Sequence, residues 1–118
     1  MYVGDVVSCE YIDLDGEKKV GLFCVIYCEK FDGNTDTGNN IIGLKITSKY
    51  QDKYKWYLPI TNKKLIMDSR ICCTKPYLFK FSNITGKLCK LKKSELKKLC
   101  ATLDKCHNEI MKQMFYEM

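Results

Sequence analysis

The period of the apolar residues changes once along this chain, near residue 94, and that change limits the folds open to it. Up to about residue 90, apolar side chains come in short runs of strand length. These are "YVGDVVSCEYIDL", "VGLFCVIYCE", "IIGLKIT", a short piece around Trp56 to Pro59, and "KLIMDSRICCTKPYLFKF". The second run is almost continuously apolar and of strand length, as expected of a central strand. From Ser94 onward, Leu96, Leu99, Leu103, Cys106, Ile110 and Met114 recur at intervals of three and four. Such spacing puts them on one stripe of a helix. Cys100, Met111 and Phe115 widen the stripe, and Ser94 is the expected N-cap. Several short strands followed by one amphipathic helix predict an α+β, mainly β domain.

The linkers support this segmentation. "DLDGEKK" holds an Asp-Gly turn signal, and "KFDGNTDTGNN" is a long polar loop without periodicity. Pro76 cannot donate to a ladder, so it marks an edge or a bend of the later strand. "SNITGK" reads as a turn. With 118 residues there is room for one core, so a single domain is expected, with strands over about 1–90 and the helix over about 94–116. No apolar run reaches the ~18 residues of a membrane span. The opening "MYVGDVVSCEY" has no basic and then apolar leader pattern, so a cytoplasmic protein is expected.

Eight cysteines stand out: Cys9, Cys24, Cys28, Cys72, Cys73, Cys89, Cys100 and Cys106. Most sit inside apolar runs, as small buried hydrophobes do. Zinc binding is the competing reading. Cys24 and Cys28 on one strand would stand ~13 Å apart, and no CxxC pair exists. Reduced thiols, no metal and no cofactor are therefore expected.

Charge is unevenly spread. Residues 1–40 carry three lysines against eight acids, and residues 41–118 carry seventeen basic residues against six acids. The densest stretch is "GKLCKLKKSELKKL". This asymmetry suits a polyanion such as nucleic acid, or a solvated lysine-rich face. Between them lies "LKITSK", where a core strand ends on Thr47, Ser48 and Lys49, groups able to face a phosphate. Beyond it Tyr50, Tyr54, Trp56 and Tyr57 alternate with Lys53 and Lys55. Aromatics among lysines can stack unpaired bases, or can pack at a strand edge. Arg70 is the single arginine. Asp68 and Glu17 are candidate bases by neighbourhood only. His107 falls one position past the helix stripe, where an exposed residue is expected.

With these elements placed, the chain resembles the PemK/MazF (Kid-like) family of small toxins. "VGDVVSCEY" resembles the family's opening strand, and "KKVGLFCVIYCE" its Gly-x-Arg-Pro turn running into an apolar strand. "LKITSK" resembles the family's strand ending in Ile/Val-Thr-Ser/Gly. "DSRICCTKPYLF" occupies the place of a later strand, and "GKLCKLKKSELKKLCATL" resembles the closing strand and helix. The resemblance implies a small SH3-like barrel of five to seven strands with a C-terminal helix, usually a homodimer. It implies metal-independent cleavage of single-stranded RNA, restrained by an antitoxin protein, as in toxin–antitoxin systems and mobile elements. Thr47 matches the family's hydroxyl position. Gly21 and Leu22 stand where the family has its arginine, and Cys72 and Thr74 stand where some members carry Arg and Asp. Lys19 and Arg70 are the cations expected to serve with Thr47 in catalysis. Ser48, Lys49, Lys53, Lys55, Trp56 and Lys75 are expected to hold RNA. The alternative is a catalytically inactive barrel of the same fold, a phage or plasmid accessory protein that binds a protein or nucleic-acid partner. A third reading is a regulator whose helix mediates assembly.

Overall fold

The computed structural model describes residues 2–29, 40–48, 56–62, 64, 65 and 68–117. Six strands precede one helix: β1 (Asp5–Ile12), β2 (Lys18–Cys28), β3 (Asn40–Thr47), β4 (Tyr57–Ile60), β5 (Ser69–Lys80), β6 (Ile84–Lys90) and α1 (Lys93–Glu117). All ladders are antiparallel, in the order β4-β5-β3-β2-β1-β6. The β1–β2 hairpin turns on Asp13, whose carboxylate accepts the backbone N–H groups of Asp15 and Glu17 at 2.9 and 3.0 Å. Gly16 completes that turn at φ +80°, a region that favours glycine.

The sheet curls around its core. Val6 of β1, Cys24 of β2, Leu44 and Ile46 of β3, Leu58 and Ile60 of β4, and Ile71 of β5 form one cluster with Leu99 of α1. Leu88 and Cys89 of β6 pack on the same cluster, so both edge strands converge on it, as in a small SH3-like barrel left open between β4 and β6. The start of α1 bridges that gap. Glu95 Oε2 accepts the Thr61 backbone N–H at 2.8 Å, and Lys92 Nζ donates to Thr61 Oγ1 at 3.4 Å. A second cluster occupies the opposite face, built from Val7, Cys9, Phe23, Val25, Ile41 and Phe79. Val6 pairs with Cys24 and Val7 with Phe23, so adjacent ladder pairs feed opposite cores. Burial on both faces explains the unbroken apolar run of β2. Pro59 sits in β4, an edge strand, where no partner needs its missing N–H.

Four details differ from expectation. The stretch around Pro76, expected to bend there or to lie at an edge, is one inner strand, and the bend is absorbed as a register slip. Leu44 faces Pro76 while Ile46 faces Ile71, so two steps along β3 correspond to five along β5. The turn expected over "SNITGK" is confined to a 3-10 turn at Phe81–Asn83, and Ile84 already opens β6. Ser94 lies inside α1 rather than capping it. The preceding residue, Lys92, donates its backbone N–H to Glu95 Oε1 at 3.0 Å, the glutamate half of a capping box. Lastly, only the first half of the helical stripe packs. Leu99 and Cys106 are buried and Leu96 and Leu103 half-buried, whereas Cys100, Ile110, Met111, Met114 and Phe115 are exposed.

All eight cysteines are free thiols. Among the described residues no group of three or more His, Cys, Asp or Glu side chains gathers as a metal site would require. No helix among them is long and apolar enough to cross a membrane.

Candidate active site

β3 leaves the core where Ile46, buried, gives way to half-buried Thr47 and exposed Ser48. Thr47 pairs with Arg70 on β5, and Arg70 pairs with Pro59 on β4. On the other flank the last recorded β2–β3 pair is Leu22 with Ile46, so Gly21 stands one step further on, beside Thr47. Gly21 in turn pairs with Cys9. Paired residues share a face and alternate residues return to it. Gly21, Thr47 and Arg70 therefore form one row across the sheet. Thr47 and Ser48 also border a cavity of about 270 Å³, together with Leu22, Lys64, Leu65 and Ser69.

The structure thus brings Thr47, Ser48 and Arg70 to one end of the sheet. Lys19 lies on the face of Gly21, but its ammonium is ion-paired with Asp13 in the β1–β2 hairpin. That contact raises the Lys19 pKa and lowers that of Asp13. Lys75 is exposed on β5. Trp56 is half-buried against the main core, and its carbonyl accepts the Cys73 N–H at 3.1 Å. Lys49, Lys53 and Lys55, with Tyr50 and Tyr54, lie outside the described residues. Glu17, Asp68 and His107 are all exposed, His107 on the projecting half of α1.

The place beside Thr47 that a side chain at position 21 would fill is taken by another residue. A Cβ on Gly21 would stand 2.9 Å from Cε1 of Tyr11, so the Tyr11 ring lies across the glycine. That ring meets Phe23 edge-on at 5.3 Å and stacks on Tyr77 at 5.4 Å. Lys45 Nζ sits 4.2 Å from its centroid and donates to Tyr11 Oη. Sequence reasoning did not select Lys45, Tyr11 or Tyr77. The available signal was Lys45 itself, a lysine interrupting the apolar run "IIGLKIT" two residues before Thr47, hence on its face. On the neighbouring strand, burial pushes the Cys72 thiol up, while a hydrogen bond with Tyr57 and the charges of Lys75 and Lys45 act the other way.

The fold is shared with a solved structure described as an endoribonuclease in complex with its cognate antitoxin from a mycobacterial species. The TM-score is 0.68, with 92% of this chain and 95% of that chain covered at 8% sequence identity. At such an identity the likeness speaks for the fold. No family model matches the chain. No curated protein matches it either.

Proposed function

We propose that this chain is a toxin-like endoribonuclease that cuts single-stranded RNA without a metal ion and is restrained by a protein antitoxin. The observation that carries the reading is a likeness along almost the whole chain to an endoribonuclease held by its antitoxin. The row in which Thr47 stands beside Arg70 supplies groups suited to the chemistry. In metal-free cleavage the 2′-hydroxyl gives its proton to a base and attacks the adjacent phosphorus, the 5′-oxygen takes up a proton as it leaves, and a 2′,3′-cyclic phosphate forms. The charge that develops on the phosphorane oxygens must be met by donors and cations. The Thr47 hydroxyl donates to one such oxygen, and the Arg70 guanidinium can engage two at once. Ser48 and Lys75 hold flanking phosphates. Lys49, Lys53, Lys55 and Trp56 are assigned to further phosphates and bases of the same RNA. Lys19 joins only where RNA draws it from Asp13. The working form is a homodimer.

A second reading is a binding module of the same fold without catalysis. It is favoured by Gly21 and Leu22, which put no cation in the row beside Thr47 on the β2 side. Incubation of the protein with a long single-stranded RNA in EDTA, followed by mapping of cut ends, separates the two. Discrete cuts ending in cyclic phosphate support the nuclease. Thr47→Val keeps the shape of the strand and removes one hydrogen bond to a charged group, so the rate should fall about ten- to a hundred-fold. Binding without any cut favours the module.

A further inference from the structure

Lys45 is in an unusual position for a lysine. It lies in the middle of β3 between Leu44 and Ile46, 1% and 6% exposed, and is itself half-buried. Among the described residues no carboxylate pairs with it, and its contacts are the hydroxyl and ring face of Tyr11. An ammonium carries three donors, and the Tyr11 hydroxyl takes one, which leaves others to meet an anion. Its surroundings match that chemistry. Thr47 follows on the same face ~6.6 Å along the strand, and Arg70 pairs with Thr47. Next to Lys45, Tyr11 and Tyr77 line a groove of about 670 Å³ with Pro76, Phe79 and Asn83, and with Glu10 and Lys18, which pair with each other at 2.9 Å. A cation beside stacked aromatic rings is the arrangement that grips single-stranded nucleic acid, the cation on the backbone and the rings on a base.

We propose that Lys45, held across Gly21 by Tyr11, is a phosphate ligand for single-stranded RNA, and that the groove lined by Tyr11 and Tyr77 takes the attached base. This rests on the RNA reading above but not on cleavage. Tyr11 is a positioning residue for the ammonium as well as a stacking surface.

The probe is a single-stranded 12-mer of 2′-O-methyl RNA, which can be bound but not cut, titrated by fluorescence anisotropy at several salt concentrations. Lys45→Met should weaken binding about ten- to a hundred-fold and make the salt dependence shallower by about 0.7 of a unit of slope, the value for one phosphate contact on a single strand. Lys45→Arg should largely restore both. Tyr11→Phe keeps the ring over Gly21 but removes the hydroxyl that holds the ammonium, so binding should weaken about three- to tenfold with the slope unchanged. Tyr77→Leu should weaken binding about tenfold through lost stacking, again with the slope unchanged. A readout that needs no variant is acetylation of Lys45, followed by mass spectrometry, which the bound 12-mer should suppress. Lys45→Met binding within twofold of wild type at an unchanged slope overturns the assignment, as does equal acetylation with and without RNA. Failure of the wild-type chain to bind the 12-mer overturns it as well. If that chain still cuts 2′-hydroxyl RNA, the nuclease reading stands without this site. If the chain binds and Lys45 matters but nothing is cut, the nuclease reading fails and this site stands.

Discussion

Gly21→Ala is a one-carbon change whose sign depends on Tyr11. Gly21 is not among the glycines at positive φ, so its backbone accepts alanine. In a strand interior that exchange ordinarily stabilises by about 0.5–1 kcal/mol. Here the new carbon would lie 2.9 Å from Tyr11 Cε1, 3.7 Å from its Cδ1 and 3.5 Å from Phe23 Cε2. Carbon atoms in contact prefer about 3.5–4.0 Å, so the Tyr11 ring must move. It is held on three sides, by the edge of Phe23, the face of Tyr77 and the ammonium of Lys45. Each aromatic pair contributes about 0.5–1.5 kcal/mol beyond area. Disturbing them fits the 1–3 kcal/mol typical of an overpacked core, and we expect about that net loss. In a Tyr11→Ala background nothing opposes the new methyl group, and the same change should stabilise by about 0.5–1 kcal/mol. The assay is urea unfolding of the four proteins in the double-mutant cycle, with the slope of stability against urea held in common. A coupling energy of about 2 kcal/mol is expected. If Gly21→Ala is neutral in the parent chain, or costs the same in both backgrounds, the Tyr11 ring does not lie across Gly21 as described.

Four further outcomes are expected. Burial pushes the thiols of Cys9 to about 11 and of Cys24 and Cys73 to about 12, above the ordinary 9.0. Their contribution to stability is therefore intact below pH 9 and declines as pH rises toward 11–12, because the unfolded chain ionises first. Urea midpoints between pH 8 and 11 under reductant should fall, less steeply for Cys24→Ala, while iodoacetamide at pH 8 should label exposed Cys100 well before these three. Glu95→Ala removes the acceptor for two backbone N–H groups and should cost about 1–2 kcal/mol, read as a lower urea midpoint. Met114→Lys with Phe115→Lys should change monomer stability by less than about 0.5 kcal/mol, since both side chains are exposed. Light scattering of the wild-type chain should report a dimer at micromolar concentration, and a 13.8 kDa particle there would count against the homodimer.

How much of this was legible in the sequence depends on how far apart the interacting residues lie. The strands and the helix are local patterns, and the apolar runs and the 3-4 stripe located them. The same stripe could not show where the helix loses its support, because Ile110 and Met114 continue the period past the end of the barrel. Ser94 looked like a cap because its residue type suits one, but Glu95 binds both Lys92 and Thr61, and the second partner is 34 positions away. The site follows the same rule. Thr47 was readable as the end of a buried strand. Its pairing with Arg70 depends on the register slip between Ile71 and Pro76, which no local signal announces.

Gly21 is where reading position by position misleads most. Taken alone it is a missing cation. In the fold it is the space that lets the Tyr11 ring cross to β3 and meet Lys45, also 34 positions away. A side chain at 21 and an aromatic ring leaning over it from position 11 exclude each other, because both need the same volume. Gly21, Tyr11 and Lys45 are therefore one feature rather than three. The glycine has meaning only with the ring, and the ring places an ammonium on the face of Thr47, where β2 has a glycine beside Thr47 and a lysine held by Asp13. Any change that restores a long side chain at 21 must displace Tyr11, and with it the contact that holds Lys45.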